Sequence, residues 1–156
     1  MNKTDQADKE LLEKARKYCA FQERCSHEVR RKLRALGAAQ DQINKVLSLL
    51  TTEGYIDDRR FADVYAYGKF TNNQWGKLRI RQELMIRNIQ EEIIQVALRQ
   101  IDDNSYTETL KKLIHQKRQQ LVEKKADHIR EKTAKYCHQK GYEPEVFWPL
   151  IEQIFA

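Results

Sequence analysis

One pattern of apolar residues occurs three times along the chain, and this repeat restricts the possible folds more than any other feature. The three copies align on Gly37, Asn88 and Gly141, with offsets of 51 and then 53 residues. Glycine and asparagine tolerate the left-handed backbone conformation that often follows a helix. The aligned apolar or small residues around them are Val29, Ile80 and Thr133; Leu33, Leu84 and Cys137; Ile43, Ile94 and Phe147; Val46, Ala97 and Leu150; Leu47, Leu98 and Ile151; and Leu50, Ile101 and Ile154. The sets that follow the aligned residue have the spacing of one helix face, so each copy predicts a helix ending there and another helix beyond it.

A further helix precedes each of these pairs, at about residues 9–22, 58–72 and 106–120. The sequence therefore predicts an all-α fold, a tandem array of three three-helix repeats that is elongated and curved. We place an N-terminal extension and repeat 1 at residues 1–54, repeat 2 at 55–103 and repeat 3 at 104–156. The extended surfaces of such arrays usually bind other macromolecules.

Composition agrees with a helical protein of the cytoplasm. The 156 residues include only five Gly and two Pro, whereas a β-sandwich needs turn residues about every 8 to 12 positions. The longest apolar stretch, at 146–151, is far shorter than the roughly 20 residues that cross a bilayer. Residues 1–10 are polar and do not resemble a secretory signal. Three cysteines, an odd number, fit a reducing compartment better than a disulfide framework, so we expect a cytoplasmic protein without membrane contact.

Local signals mark several helix boundaries. Ser26 is placed to cap the helix that carries Val29 and Leu33. Asp57 is placed to cap the next helix, with Ile56 before it and Phe61 after it in the arrangement of a hydrophobic staple. Gly54 ends the helix before, and Pro144 fits the first turn of the last helix.

The candidate catalytic and metal-binding residues have simpler structural interpretations. Cys19, Cys25 and His27 lack the paired spacing of structural zinc sites. Asp57 and Asp58 could form the acid pair of a nuclease, but their place at a helix start favours capping. Phosphate-binding, esterase and zinc-protease motifs are absent from the sequence. We therefore expect a protein that is not an enzyme and that has no catalytic residues, metal or cofactor.

The basic residues form two clusters in the first two repeats. The chain carries a formal charge of +6, of which residues 1–50 contribute +4, 51–100 contribute +1 and 101–156 contribute +1. Arg30 and Arg81 align through the repeat, whereas repeat 3 has Ala134 there. The candidate contact residues are Arg30, Arg31, Lys32, Arg34, Trp75, Lys77, Arg79, Arg81 and Arg87. The clusters are either ordinary solvated helix faces or a surface for phosphates or acidic protein. Trp75 is either a packing anchor or an exposed aromatic contact.

A series of short motifs in repeat 2 resembles the RecX family. The motifs are Gly54-Tyr55-Ile56-Asp57-Asp58, Arg60-Phe61-Ala62, Tyr65, Trp75-Gly76, Arg79-Ile80 and Glu83-Leu84, in the order and spacing of that family. The segment 26–36 is also similar to the first repeat of the family, and the resemblance extends over residues 26–101. The third repeat matches mainly in its pattern, and Asn88 stands where the family commonly has Gly.

The resemblance implies a regulator of the RecA recombinase that is built from tandem three-helix repeats. RecX-like proteins bind in the groove of the RecA–DNA filament and inhibit its ATPase, strand-exchange and coprotease activities. The resemblance thus implies a role in DNA recombination, DNA repair and the SOS response, with the RecA filament as partner. We expect a monomer that also binds DNA directly but weakly. The alternatives are an autonomous DNA-binding helical module that acts without recombinase, and a scaffold for another acidic protein.

Overall fold

The computed structural model describes residues 2–156, and within them the chain forms nine α-helices and no strand. The helices are α1 (Lys3–Phe21), α2 (Ser26–Ala35), α3 (Gln40–Thr52), α4 (Asp58–Asn73), α5 (Lys77–Ile86), α6 (Glu91–Arg99), α7 (Asp103–Glu123), α8 (Ile129–Lys140) and α9 (Pro144–Phe155). The predicted all-α fold is confirmed. The closest packing between helices lies within consecutive triads, which we name unit 1 (α1–α3), unit 2 (α4–α6) and unit 3 (α7–α9).

The first helix of units 1 and 3 is longer than the apolar pattern predicts. Helix α1 begins six residues before the predicted start at residue 9, because Asn2 caps it by accepting the N–H of Asp5 at 2.8 Å. Helix α7 begins at Asp103, capped by the carboxylate of Asp102. Both extensions lie in polar sequence, where capping residues rather than apolar periodicity determine the helix start.

The repeated apolar positions line the cores. Val29, Ile80 and Thr133, which share one repeat position, are each fully buried. Thr133 is compatible with this position because its hydroxyl donates to the carbonyl oxygen of Ile129 at 2.6 Å. Cys137 is also buried, as its alignment with two leucines predicts.

The three aligned cap residues adopt the predicted left-handed conformation. The φ angles of Gly37, Asn88 and Gly141 are +83°, +56° and +99°. In each copy the N–H of the next residue bonds to the carbonyl oxygen five positions back, at 3.0 to 3.1 Å, which is the Schellman arrangement. The repeat is therefore a structural unit with a common turn between its last two helices.

Three of the predicted helix boundaries are confirmed and one is wrong. Asp57 caps α4 by accepting the N–H groups of Arg59 and Arg60, Gly54 follows the end of α3 with a φ of +81°, and Pro144 is the first residue of α9. Ser26 does not cap α2: it is the first residue of that helix and follows the cap residue, Cys25.

The carboxylate of Asp58 explains the difference at Ser26. Its Oδ1 atom accepts both the N–H of Ser26, at 2.9 Å, and the hydroxyl of Ser26, at 3.1 Å. The cap position itself is stabilised by Glu28, which accepts the N–H of Cys25 at 3.2 Å. Ser26 therefore connects unit 1 to unit 2 instead of capping its own helix.

Within residues 2–156 the buried apolar side chains form two hydrophobic cores, not three. One belongs to unit 1 and includes Ala15, Leu33, Ile43 and Ile56. The other extends through units 2 and 3 without interruption, and Phe61 belongs to it, so Ile56 and Phe61 are buried in different cores. The division of the sequence at residues 54 and 103 remains a prediction, since units 2 and 3 share their interior.

Backbone hydrogen bonds join units 2 and 3 directly. The N–H of Gly76 donates to the carbonyl oxygen of Lys140 at 2.8 Å, and the N–H of Leu78 donates to that of Gly141 at 2.9 Å. The backbones approach so closely that a Cβ atom on Gly76 would overlap the carbonyl group of Gly141. The phenol of Tyr142 adds a bond to the carbonyl oxygen of Gln74 at 3.0 Å.

Side-chain polar contacts and a buried cysteine join units 1 and 2. Besides the Ser26–Asp58 bonds, Arg60 donates to Glu23 at 2.9 Å, and Asn88 contacts the His27 ring at 3.0 Å. Cys25 is the residue of unit 1 that is buried in the second core. Over residues 2–156, none of the helices has the length and apolar character needed to cross a membrane.

Candidate functional site

Helix α2 presents a basic surface, the α2 basic face, formed by Arg30, Arg31, Lys32 and Arg34. Val29 and Leu33 hold the opposite side of the helix in the core of unit 1. Arg31, Lys32 and Arg34 are exposed and Arg30 is partly buried. Among residues 2–156, none of these four cations has a carboxylate oxygen within 4.0 Å. Their charge is therefore available to an external partner.

The predicted basic residues of unit 2 have more intramolecular partners. Arg81 forms an ion pair with Glu91, and Lys77 lies 3.8 Å from Asp103. Arg87 pairs with Glu83 at 3.0 Å, and its Nε atom lies 3.9 Å from the carboxylate of Glu28 in unit 1. Arg87 thus connects α5 to α2 and is less available to a partner than the α2 basic face.

Trp75 packs against the second core and is partly buried. The guanidinium of Arg79 lies 4.1 Å from its ring centroid, and the ammonium of Lys69 lies 4.9 Å away. Tyr65 meets the same ring edge-on at 6.5 Å. These contacts fix the position of Trp75 and Arg79 beside the start of α5.

Helix α5 exposes apolar side chains that the sequence analysis did not identify. Leu78 is 41 % exposed, Met85 53 % and Ile86 58 %, while Ile80 and Leu84 fill the core on the other side. Leu78, Arg81, Gln82 and Met85 have the spacing of one helix face, which we name the α5 outer face. Apolar residues beside arginine are typical of protein interfaces. The sequence signal for this exposed apolar surface is the adjacent pair Met85-Ile86, which lies outside the repeated apolar positions.

A second feature missed from the sequence is a groove between α7 and α8, the unit 3 groove, with a volume of about 280 Å³. It is lined by Lys117, Leu121, Lys132, Lys135, Tyr136 and Gln139. The expectation that basic surface is concentrated in units 1 and 2 is therefore incomplete. Residues 111–140 carry ten basic and three acidic side chains, an excess that the charge sum over residues 101–156 conceals.

The three cysteines are buried, and the acid pair Asp57 and Asp58 forms hydrogen bonds within the fold. Burial raises the pKa of the Cys25 and Cys137 thiols to about 12, and that of Cys19 is also raised. Asp57 caps α4 and Asp58 binds Ser26. Between residues 2 and 156, no group of three or more His, Cys, Asp or Glu side chains is arranged to hold a metal ion.

The predicted site residues do not form one cluster. The α2 basic face and the α5 residues lie in different units, which meet where Glu28 and His27 of α2 contact Arg87 and Asn88 at the end of α5. The structure thus gives three separate candidate surfaces: the α2 basic face, the α5 outer face and the unit 3 groove.

Two family models match units 1 and 2. The first three-helix domain of RecX matches residues 12–50, and the second three-helix domain of RecX matches residues 57–98. Two solved structures share the fold. A crystal structure of regulatory protein RecX has a TM-score of 0.81 at 23 % identity, covering 94 % of this chain and 74 % of that one. RecX from Lactobacillus salivarius has a TM-score of 0.85 at 20 % identity, covering 97 % and 98 %.

Two curated relatives extend the similarity into unit 3. Regulatory protein RecX of Lactobacillus johnsonii is 25 % identical over 152 residues, which are 97 % of this chain and 56 % of the relative. Regulatory protein RecX of Bacillus cytotoxicus is 27 % identical over 137 residues, 88 % of this chain and 51 % of the relative. The chain spans about half the length of these relatives. Because the two domain models together cover more than half of the sequence, in the order of the observed helix triads, the chain belongs to the RecX family.

Proposed function

We propose that this protein binds the RecA–DNA filament and inhibits the ATPase, strand-exchange and coprotease activities of RecA, and so regulates DNA recombination and repair. The observation that carries the proposal is the match of units 1 and 2 to the two RecX three-helix domains. In this function the protein acts in the cytoplasm as a monomeric binding partner, without chemistry or a cofactor of its own.

The two faces of units 1 and 2 support a protein partner with acidic and apolar surface. The α2 basic face supplies four cations without intramolecular ion pairs among the described residues. The α5 outer face supplies Leu78 and Met85, whose exposed area would be buried on binding. Charge complementarity raises the association rate, and apolar contact slows dissociation.

An ATPase titration tests the proposal. Adding the protein to RecA, single-stranded DNA and ATP is expected to lower ATP hydrolysis at or below an equimolar ratio to RecA. Replacing Arg31→Glu and Arg34→Glu together is expected to raise the half-inhibiting concentration at least about tenfold, since like charges then face the acidic partner. The control is Lys14→Glu with Lys17→Glu, an equal charge change on exposed residues of α1. Unchanged ATP hydrolysis over a full titration contradicts the inhibitory function.

The alternative function, an autonomous DNA-binding module, is favoured by the unit 3 groove alone. It predicts tight, salt-dependent binding to DNA without recombinase and no effect on ATP hydrolysis beyond competition for DNA. The same titration at saturating DNA separates the two functions, because competition for DNA disappears there and inhibition through RecA does not.

A further inference from the structure

The unit 3 groove is built from helix positions that face each other. Lys132, Lys135, Tyr136 and Gln139 are spaced three, four and seven residues apart and share one face of α8. Lys117 and Leu121 are four residues apart on α7. The ammonium of Lys117 lies 5.0 Å from the Tyr136 ring centroid, so it projects across the groove toward α8. The groove thus has lysines on both walls and an aromatic ring between them.

Little intramolecular negative charge neutralises this groove. Lys132 pairs with Asp127 at 3.0 Å, and both side chains are largely exposed. Among the described residues, Lys117 and Lys135 have no carboxylate oxygen within 4.0 Å. Lys124 and Lys125 extend the positive charge at the end of α7, where both are exposed. Burial raises the pKa of the Tyr136 phenol, which therefore remains a hydrogen-bond donor, and the Gln139 amide is another.

The polar side chains that line the groove are ones that donate hydrogen bonds to phosphate. Leu121 is buried, so the exposed lining consists of lysine and glutamine side chains and part of the Tyr136 ring. Lysine, tyrosine and glutamine side chains are the usual donors to phosphate oxygens. An aromatic side chain beside lysines is the combination that binds single strands.

We propose that the unit 3 groove binds the phosphate backbone of single-stranded DNA, with Lys117, Lys132 and Lys135 as the phosphate contacts. The role of this groove in the filament rests on the proposed function. In that role unit 3 contacts DNA, whereas the α2 basic face and the α5 outer face contact protein. The binding itself requires no recombinase.

Fluorescence anisotropy with labelled oligothymidylate, at several salt concentrations and without RecA, tests the assignment. The variant is Lys117→Gln with Lys135→Gln, which removes two positive charges and adds no repulsion. We expect its affinity at low salt to fall at least about tenfold. Each lost phosphate contact also reduces the slope of log K against log salt by about 0.7, so the slope becomes shallower by about 1.4. The control, Lys14→Gln with Lys17→Gln on α1, is expected to leave both quantities unchanged.

Two results would overturn the assignment. One is a groove variant, folded by circular dichroism, that binds oligothymidylate with the affinity and salt slope of the wild type. The other is competition by poly-glutamate as strong as by oligothymidylate of equal charge, which would make the groove a site for acidic protein. The ATPase titration of the Arg31→Glu and Arg34→Glu variant reports on the proposed function separately, because these residues lie outside the groove.

Discussion

Cys137 occupies the repeat position of Leu33 and Leu84, and its side chain is buried in the core that units 2 and 3 share. A protonated thiol is compatible with this place because it behaves as a small apolar group. The thiolate is not, since the surroundings cannot solvate its charge, and burial raises the pKa of Cys137 to about 12. The protonation state of this one residue is therefore coupled to folding.

This coupling predicts a loss of stability at alkaline pH. Below the ordinary thiol pKa of 9.0 the folded and unfolded chains are both protonated at Cys137, and its contribution to stability is fully present. Above pH 9 the unfolded chain releases the proton first, so the free energy of unfolding falls as pH rises toward 12. The expected loss from this thiol is at most about 1.4 kcal/mol per pH unit. Urea unfolding at pH 8 and pH 10.5 measures it.

The variant Cys137→Ala isolates this contribution. Tyrosine, lysine and the other cysteines also titrate in this range, but they are common to both proteins. The wild type is therefore expected to lose more stability than Cys137→Ala between the two pH values. Equal losses would show that the thiol is solvated in the folded protein.

Residues with restricted backbone conformations were the most predictable from sequence. Gly37, Asn88 and Gly141 were identified as cap residues because few residue types adopt a positive φ without strain. Ser26 was assigned the wrong role because its hydrogen-bond partner, Asp58, is 32 residues away. A capping signal is local, and it carries no information about an acceptor that the tertiary fold supplies.

At the scale of elements, α5 differs from its counterpart α2. Both helices bury two apolar residues at the repeated positions, but α5 also exposes Leu78, Met85 and Ile86. The fold does not require these side chains to be apolar, since their contacts leave about half of each exposed. Exposed apolar side chains that adjoin one another indicate a contact surface more often than isolated ones do.

In the proposed function, replacing Leu78→Ser and Met85→Ser together is expected to weaken inhibition of the RecA ATPase at least about tenfold, because the α5 outer face then offers less apolar area to RecA. Stability is expected to change by about 1 kcal/mol or less, since both residues are largely exposed. The control is Val96→Ser with Val122→Ser, which removes exposed apolar groups from α6 and α7. ATPase inhibition and urea unfolding are measured on each variant. Equal inhibition by both double variants would exclude the α5 outer face from the contact.

The order and type of the helices followed from apolar spacing, but two of the three candidate surfaces did not. The repeat carries no information about the α5 outer face, because Leu78 and Met85 lie outside the repeated apolar positions. The net charge of repeat 3 conceals the unit 3 groove, because the acidic residues at both ends of unit 3 offset its lysines. Lys117 and Lys135 are brought together only by the packing of α7 on α8.

At the scale of the whole molecule, Gly76 allows the backbones of units 2 and 3 to pack closely. Its φ of −76° suits any residue, so its requirement for glycine is purely steric: a Cβ atom would overlap the Gly141 backbone. Gly141 faces the same restriction, since a Cβ there would overlap Arg79. The two glycines let the backbone bonds between the units form.

Gly76→Ala is expected to lower the free energy of unfolding by about 3 kcal/mol, because backbone at this junction cannot move aside without breaking hydrogen bonds. The matched control is Gly68→Ala in α4, where the nearest atom to the new Cβ is the flexible Asn72 amide at 3.9 Å. The control is expected to raise stability by about 0.5 to 1 kcal/mol, as alanine favours the helix. Urea unfolding measures both. A Gly76→Ala protein as stable as Gly68→Ala would show that the two chain segments are not in contact.

The two cores also determine where the molecule can change shape. A rotation between units 2 and 3 would break backbone hydrogen bonds and open a continuous interior. Unit 1 is joined to unit 2 by the polar contacts of Glu23, Ser26 and His27 and by Cys25, which is buried in the second core. We therefore expect any change of shape to occur at the junction of units 1 and 2. Such a change would alter the separation between the arginines of α2 and the lysines of the unit 3 groove.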